Sequence, residues 1–296
     1  MKRILSLAAM ALVAVAVAGP KIPAVETVPH ELDALLKGGH VQGACCDETG
    51  IYLAHAMGIV KVDWKGKKIA EAFGQSHIGD CDVWDGKVYA AIALRPPKTG
   101  ADGKTYPGMI GVWDAATLTF EREQLLPENA DGLVVKDGVI HWGVDRWGRN
   151  GKEGNKTALI GRMGLDLVTR DIVEIDFGFN LLWGVQTMAT DGKDLFFSCY
   201  AVPTGRNEAK RANYARCTGD LKLIDTARAG FSEGFGRVPE KVFPGRDRPV
   251  FFAVRALGGN MQGWRKDPVN NPPRIRIEFY EYADGKFTNV TQPPKK

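Results

Sequence analysis

"HVQGACCDETGIYLAHA", His40 to Ala56, and "HIGDCDVWDGKVYAAIA", His77 to Ala93, share one grammar. Each opens on a histidine, crosses a short apolar segment carrying cysteine, turns where an acid precedes a glycine, and continues as a strand-like run. The same turn recurs in "DGVIHWGV" from Asp137 and "DGKDLFFSCYA" from Asp191. Asp-Gly between β-prone runs is a strong hairpin signal.

Two further strand-like pieces follow the hairpins: "GIVKVDWKGKKIAEAF", "MIGVWDAATLTFEREQL" and "LIGRMGLDLVTRDIVEI". The fourth unit continues through "LKLIDTARAG", and a fifth assembles from "GRVPEKVF", "RPVFFAVRAL", "IRIEFYEYA" and "KFTNVTQ". No long run keeps the 3.6-residue helical period. Four strands repeated about every 40 to 55 residues predict an all-β fold, a single β-propeller of five four-stranded blades, with six as the alternative. A β-sandwich does not account for such regular units.

Lys2 and Arg3 precede an apolar run from Ile4 to Ala18 that ends in Ala16-Val17-Ala18. This reads as a signal peptide over 1–18, shorter than a membrane span, and predicts export to the periplasm or the cell exterior. A segment over 19–39, with a short helix in "PHELDALLKG", then leads into the propeller over 40–296. No second apolar stretch of spanning length follows, so no membrane span is expected after signal removal. The net charge of +4 gives no reason to expect a nucleic-acid partner, and a monomer is expected. Five cysteines allow disulfides in an exported chain. The pairs favoured are Cys199 with Cys217, and Cys81 with Cys45 or Cys46.

Strands A to D of each blade, counted outward from the channel, fix which loops share a face. A–B and C–D turns fall on one side, B–C loops and D–A connections on the other. The long segments are B–C loops, starting at Arg95, Asp145, Ala201 and Arg265, and long insertions on one face mark the binding side of a repeat scaffold. They hold fourteen Lys and Arg, Arg216 included, against five acids, an excess of nine that should concentrate anions. Tyr106, Trp147, Tyr214 and Trp264 lie among them, rings able to stack on sugar faces.

The starts of the A strands carry His40, Gln42, His77, Asp80, Asp131 and Gln186 to that same mouth. His40, His77 and Asp80 are the types for one divalent metal ion. Asp80 and Asp131 could instead serve as the acid and base of glycoside hydrolysis, or His40 and His77 as proton carriers in β-elimination on a uronic acid. Gln42 and Gln186 would orient the ligand. Arg95, Arg146 and Arg255 would meet its anionic groups, with Trp147 as a stacking platform. No GxSxG, P-loop, dinucleotide fingerprint or CxxCH occurs.

The units "HVQGACCDETGIYLAHAMGIVKVDWKGK", "HIGDCDVWDGKVYAAIAL", "ADGLVVKDGVIHWGV" and "VQTMATDGKDLFFSCY" resemble those of exported, largely uncharacterised bacterial β-propeller proteins. In outline the chain is similar to propeller enzymes acting on polysaccharides. That resemblance implies a fold and a habitat, with carbohydrate as the commonest ligand class. The expectation is an exported propeller that binds an acidic oligosaccharide or polysaccharide and cleaves it as lyase or hydrolase. The alternatives are a non-catalytic binding propeller and a metal-dependent phosphoester hydrolase.

Overall fold

The computed structural model describes residues 20–27, 41–73, 77–145, 155–201, 213–228, 231, 233–257 and 274–292. They form five antiparallel blades around a central channel, and no helix occurs among them. Blade I comprises β2 (Val41–Asp47), β3 (Gly50–His55), β4 (Gly58–Val62) and β5 (Lys68–Phe73). Blade II follows with β6 (Ile78–Trp84), β7 (Lys87–Thr99), β8 (Thr105–Asp114) and β9 (Phe120–Leu126). Blade III holds β10 (Asn129–Lys136), β11 (Val139–Asp145), β12 (Thr157–Gly164) and β13 (Thr169–Asp176). Blade IV holds β14 (Leu181–Thr190), β15 (Asp194–Ala201), β16 (Tyr214–Thr218) and β17 (Leu223–Ala227).

Blade V is built differently. Its inner strands are β18 (Phe235–Arg237), β19 (Val250–Leu257) and β20 (Arg274–Ala283). The outer edge of β20 is shared by two short strands from opposite chain ends. β1 (Val25–Thr27) pairs with Ile275 to Ile277, and β21 (Lys286–Asn289) pairs with Tyr280 to Ala283. Ile22 donates its amide to Val290 O at 2.9 Å and accepts from Gln292 N at 2.6 Å, which ties the two ends together. Residues ahead of His40 therefore contribute a strand to the ring. The expected helix in 29–38 lies outside the described residues.

The hairpin chemistry explains the turns. Asp85 and Gly86 have φ of 48° and 70°, and Asp137 and Gly138 have 52° and 71°, the left-handed pair that a type I′ turn requires. The β7–β8 connection is a hairpin rather than an irregular loop. Lys98 pairs with Tyr106 and Thr99 with Thr105, so the strands extend beyond the blade and turn only at 100–104.

Five apolar clusters, one between each pair of neighbouring blades, close the ring. Cys45, Tyr52 and Ile59 of blade I meet Cys81, Val88 and Ile92 of blade II. Equivalent clusters join II to III, III to IV and IV to V. The last joins V to I and includes Ile22 and Val25 from the N-terminal strand. Inner and second strands bury both faces, so runs such as "VYAAIAL" are almost wholly apolar. Outer strands bury one face at most, and "FEREQLL" is mostly exposed.

Candidate functional site

Each innermost strand presents a free sheet edge to the channel, and its unpaired amides need acceptors. The strands of blades I to IV all slip register near their starts, at 41–43, 78–81, 130–133 and 185–187. The slip places Gln42, Asp80, Asp131 and Gln186 around the channel, all of them buried. The inner strands pack so tightly there that only glycine fits. A Cβ on Gly43 would lie 2.4 Å from Asp80 Cα, and one on Gly79 would lie 2.8 Å from Asp131 Cα.

Asp80 has no solvent exposure. Its Oδ2 accepts from Leu133 N of blade III at 3.1 Å and from Met188 N of blade IV at 2.8 Å. Two residues on, Asp82 Oδ2 accepts from Val135 N of blade III at 2.8 Å, and its Oδ1 accepts from its own neighbour Val83 N. The pair forms a two-rung staple. Residues i and i+2 of one inner strand grip amides j and j+2 of the next, as the strand period requires. Burial pushes the Asp80 carboxyl well above the usual range and Asp82 up to about 7, against the lowering effect of these amides. Asp80 is thus a strut across three blades.

Asp131, 7% exposed, accepts at Oδ2 from Gln186 Nε2 at 2.8 Å, so these two expected site residues meet directly across blades III and IV. His77 lies at the mouth, half-buried, with φ of 57°. Its amide donates to Ala56 O and its carbonyl accepts from Ala93 N. His40, Arg146 and Trp147 lie outside the described residues. Among the described residues no three His, Cys, Asp or Glu are grouped to hold a metal ion. Of the expected set of His40, His77 and Asp80, Asp80 has its Oδ2 taken by two amides, while its Oδ1 is buried without a hydrogen-bond partner among the described residues.

The cations differ in their surroundings. Arg255 is held by Glu278, Nε to Oε2 at 3.5 Å, and donates to Tyr280 Oη at 3.3 Å. Arg216, counted with the loops on sequence, belongs to β16 and pairs with Asp225 and Asp194. Moving it reduces the loop excess from nine to eight. Lys98 pairs with Glu123 on β9. Arg95 is exposed where β7 leaves the blade.

A cavity of about 480 Å³ opens at the opposite end of the channel, on the A–B turn side. Cys45, Cys81, Asp82, Trp84, Met188 and Arg237 are among its walls. Among the described residues, the expected site residues all lie at the other face. The alternation in "GDCDVW", two acids flanking a cysteine within an inner strand, was the available signal for this wall.

The cysteines are all free thiols. Cys45 Sγ and Cys81 Sγ stand 3.4 Å apart, one of the expected pairings. Cys46 points the other way, into the cluster between blades V and I, with Sγ 3.1 Å from Arg237 O. The expected Cys199–Cys217 pair is overturned. Cys217 sits opposite Leu195, four residues along β15 from Cys199, which is about 13 Å at strand rise and beyond a disulfide's reach.

No protein-family model and no curated protein matches the sequence. Solved structures share the fold. An α-L-arabinofuranosidase (CtGH43) from Clostridium thermocellum superposes with a TM-score of 0.52 at 13% identity, over 88% of this chain and 98% of that one. The glutaminyl cyclase of Myxococcus xanthus gives 0.50 at 9%, over 89% and 97%. Hydrazine synthase of Kuenenia stuttgartiensis gives 0.45 at 9%, and this chain spans 65% of that protein's length. At such identities the likeness is one of fold, and fold carries no reaction with it.

Proposed function

We propose that the protein is an exported propeller that binds an acidic oligosaccharide or polysaccharide at its loop-bearing mouth. The observation behind this reading is the segregation of the long connections. The B–C connections leave from one face, with eight more cations than acids even after Arg216 is returned to its strand. Exposed Arg95, on the hairpin that projects from that face, is suited to a sugar carboxylate or sulfate. Binding is favoured over turnover because the carboxylates nearest the channel are held rather than poised: Asp80 by two amides and Asp131 by Gln186.

A catalytic version centres on His77, whose left-handed backbone at the mouth is the kind of strain that gathers at working residues. The test is titration of the purified chain with polygalacturonate, a sulfated glycan and a neutral glucan at two ionic strengths. The reading expects saturable binding of the acidic polymers, weakened by salt, and none of the glucan. Equal affinity for the neutral polymer would overturn it. Absorbance from a new C=C bond, or release of reducing ends, lost in His77→Ala, would establish the catalytic version.

A further inference from the structure

The cavity on the turn face holds chemistry that glycan binding does not use, and it does not depend on that reading. Gly43 brings β2 against β6 so closely that a Cβ would strike the Asp80 backbone. Two residues further along β2 and one further along β6, that approach sets Cys45 Sγ 3.4 Å from Cys81 Sγ. Adjacent residues on a strand face opposite ways, so Cys45 meets blade II while Cys46 meets blade V. Both residues of the pair line the cavity, so a small reagent in it comes up to the wall in which the two sulfurs are buried.

We propose that Cys45 and Cys81 are a redox site, oxidised to a disulfide that bolts the inner strands of blades I and II together at the cavity wall. The co-reactant is a small or protein disulfide. One cysteine thiolate attacks it, forming a mixed disulfide and expelling one thiol. The second cysteine, losing its proton, attacks the first cysteine's sulfur in that mixed disulfide and expels the remaining half of the reagent as the other thiol. Two thiols become one disulfide and the reagent is reduced to two thiols. Closure needs the sulfurs to move about 1.4 Å nearer, to a bond of about 2.05 Å. Burial pushes both thiols up, Cys45 also through its contact with Cys81, so exchange is slow at neutral pH and speeds as pH rises.

The test uses the full chain, incubated with glutathione disulfide or with a reductant, then unfolded and alkylated. Three labels instead of five, and a linked peptide joining Cys45 to Cys81, are expected after oxidation. The bond closes a 36-residue separation and should raise the melting temperature by about 5–10 °C. That shift should vanish in Cys81→Ser and in Cys45→Ser and persist in Cys46→Ser. Five labels after prolonged exposure at pH 9, or a linked peptide joining any other pair, would overturn the proposal. The label count on the wild-type chain decides the matter even where a serine variant fails to fold.

Discussion

The two ends of the channel share the inner strands of blades I to IV, joined at the turn end by β18 of blade V, and behave as different materials. At the loop-bearing end, the inward residues are Gln42, Asp80, Asp131 and Gln186, all buried and packed against neighbouring backbones. At the turn end, Cys45, Cys81 and Met188 line a cavity with Asp82 in its wall. The difference follows from glycine. Where Gly43 and Gly79 let the strands touch, a side chain beside the contact must satisfy free-edge amides. Polarity at a strand start is then a demand of the architecture before it is a sign of chemistry.

The severest way to break this contrast is Asp80→Ala. Two buried amides, Leu133 N and Met188 N, would lose their acceptor, which costs about 4 kcal/mol at roughly 1–3 kcal/mol per orphaned group. Urea unfolding should show it. Asp80→Asn keeps an acceptor oxygen and, because burial favours the neutral carboxyl, should lose under half as much. An alanine variant within about 1 kcal/mol of wild type would remove the strut and restore Asp80 to the candidate catalytic groups.

Next in size is a pH dependence carried by the other rung. Asp82 titrates near 7 in the fold against 3.8 when unfolded, so between those values the folded chain keeps a proton that the unfolded chain has lost. Its contribution is whole below pH 4 and is lost as pH rises through 7. His141, pushed down to about 4 by burial, acts oppositely, and its contribution is lost as pH falls from 6.5 to 4. Comparison with Asp82→Asn isolates the acid. The wild-type stability minus that of the variant should fall by about 3 kcal/mol from pH 5 to pH 8, at about 1.4 kcal/mol per unit. A flat difference would mean that Asp82 ionises freely.

Gly43→Ala tests the cause of the contrast itself. A methyl 2.4 Å from Asp80 Cα forces the strands apart, at a cost of about 2 kcal/mol. It should also slow Cys45–Cys81 oxidation, because the same contact sets the sulfur separation. Stability unchanged, with oxidation at the wild-type rate, would show that the strands yield without cost.

How far the sequence carries follows from which forces are local. Turn chemistry is local, so Asp85-Gly86 and Asp137-Gly138 revealed their hairpins, and the four-strand units followed. Three of the four pieces expected in blade V are strands throughout most of their length, but "GRVPEKVF" meets β18 only at Gly236 and Arg237, and the three residues of β1 that pair with Ile275 to Ile277 leave no periodic trace. Arg216 lies at the end of the long segment "AVPTGRNEAKRANYARC" on sequence, whereas its partners Asp225 and Asp194, which fix it in β16, lie on neighbouring strands. The expected pairing of Cys199 with Cys217 fails on register, a long-range property that sets them four residues apart along the ladder. Of the site, the places of Gln42, Asp80, Asp131 and Gln186 around the channel are legible in the sequence, while their hydrogen-bond partners are not. Nothing in "HIGDCDVW" says that Asp80 bonds blade IV, since Met188 is 108 residues away.

The smallest expected effect bears on function most directly. Arg95 is exposed at the root of the projecting β7–β8 hairpin, so Arg95→Glu should leave folding within about 0.5 kcal/mol of wild type. It reverses one charge at the mouth, and affinity for polygalacturonate should drop about 5-fold, on the order of 1 kcal/mol at low salt. The loss should shrink as salt rises, because an exposed charge is screened within about 10 Å at 0.1 M. Arg255→Gln is the matching control. Arg255 is already committed to Glu278 and Tyr280, so its loss should appear in stability and leave affinity unchanged. If Arg255→Gln weakened binding and Arg95→Glu did not, the ligand would sit over blade V, and the projecting hairpin of blade II would take no part in recognition.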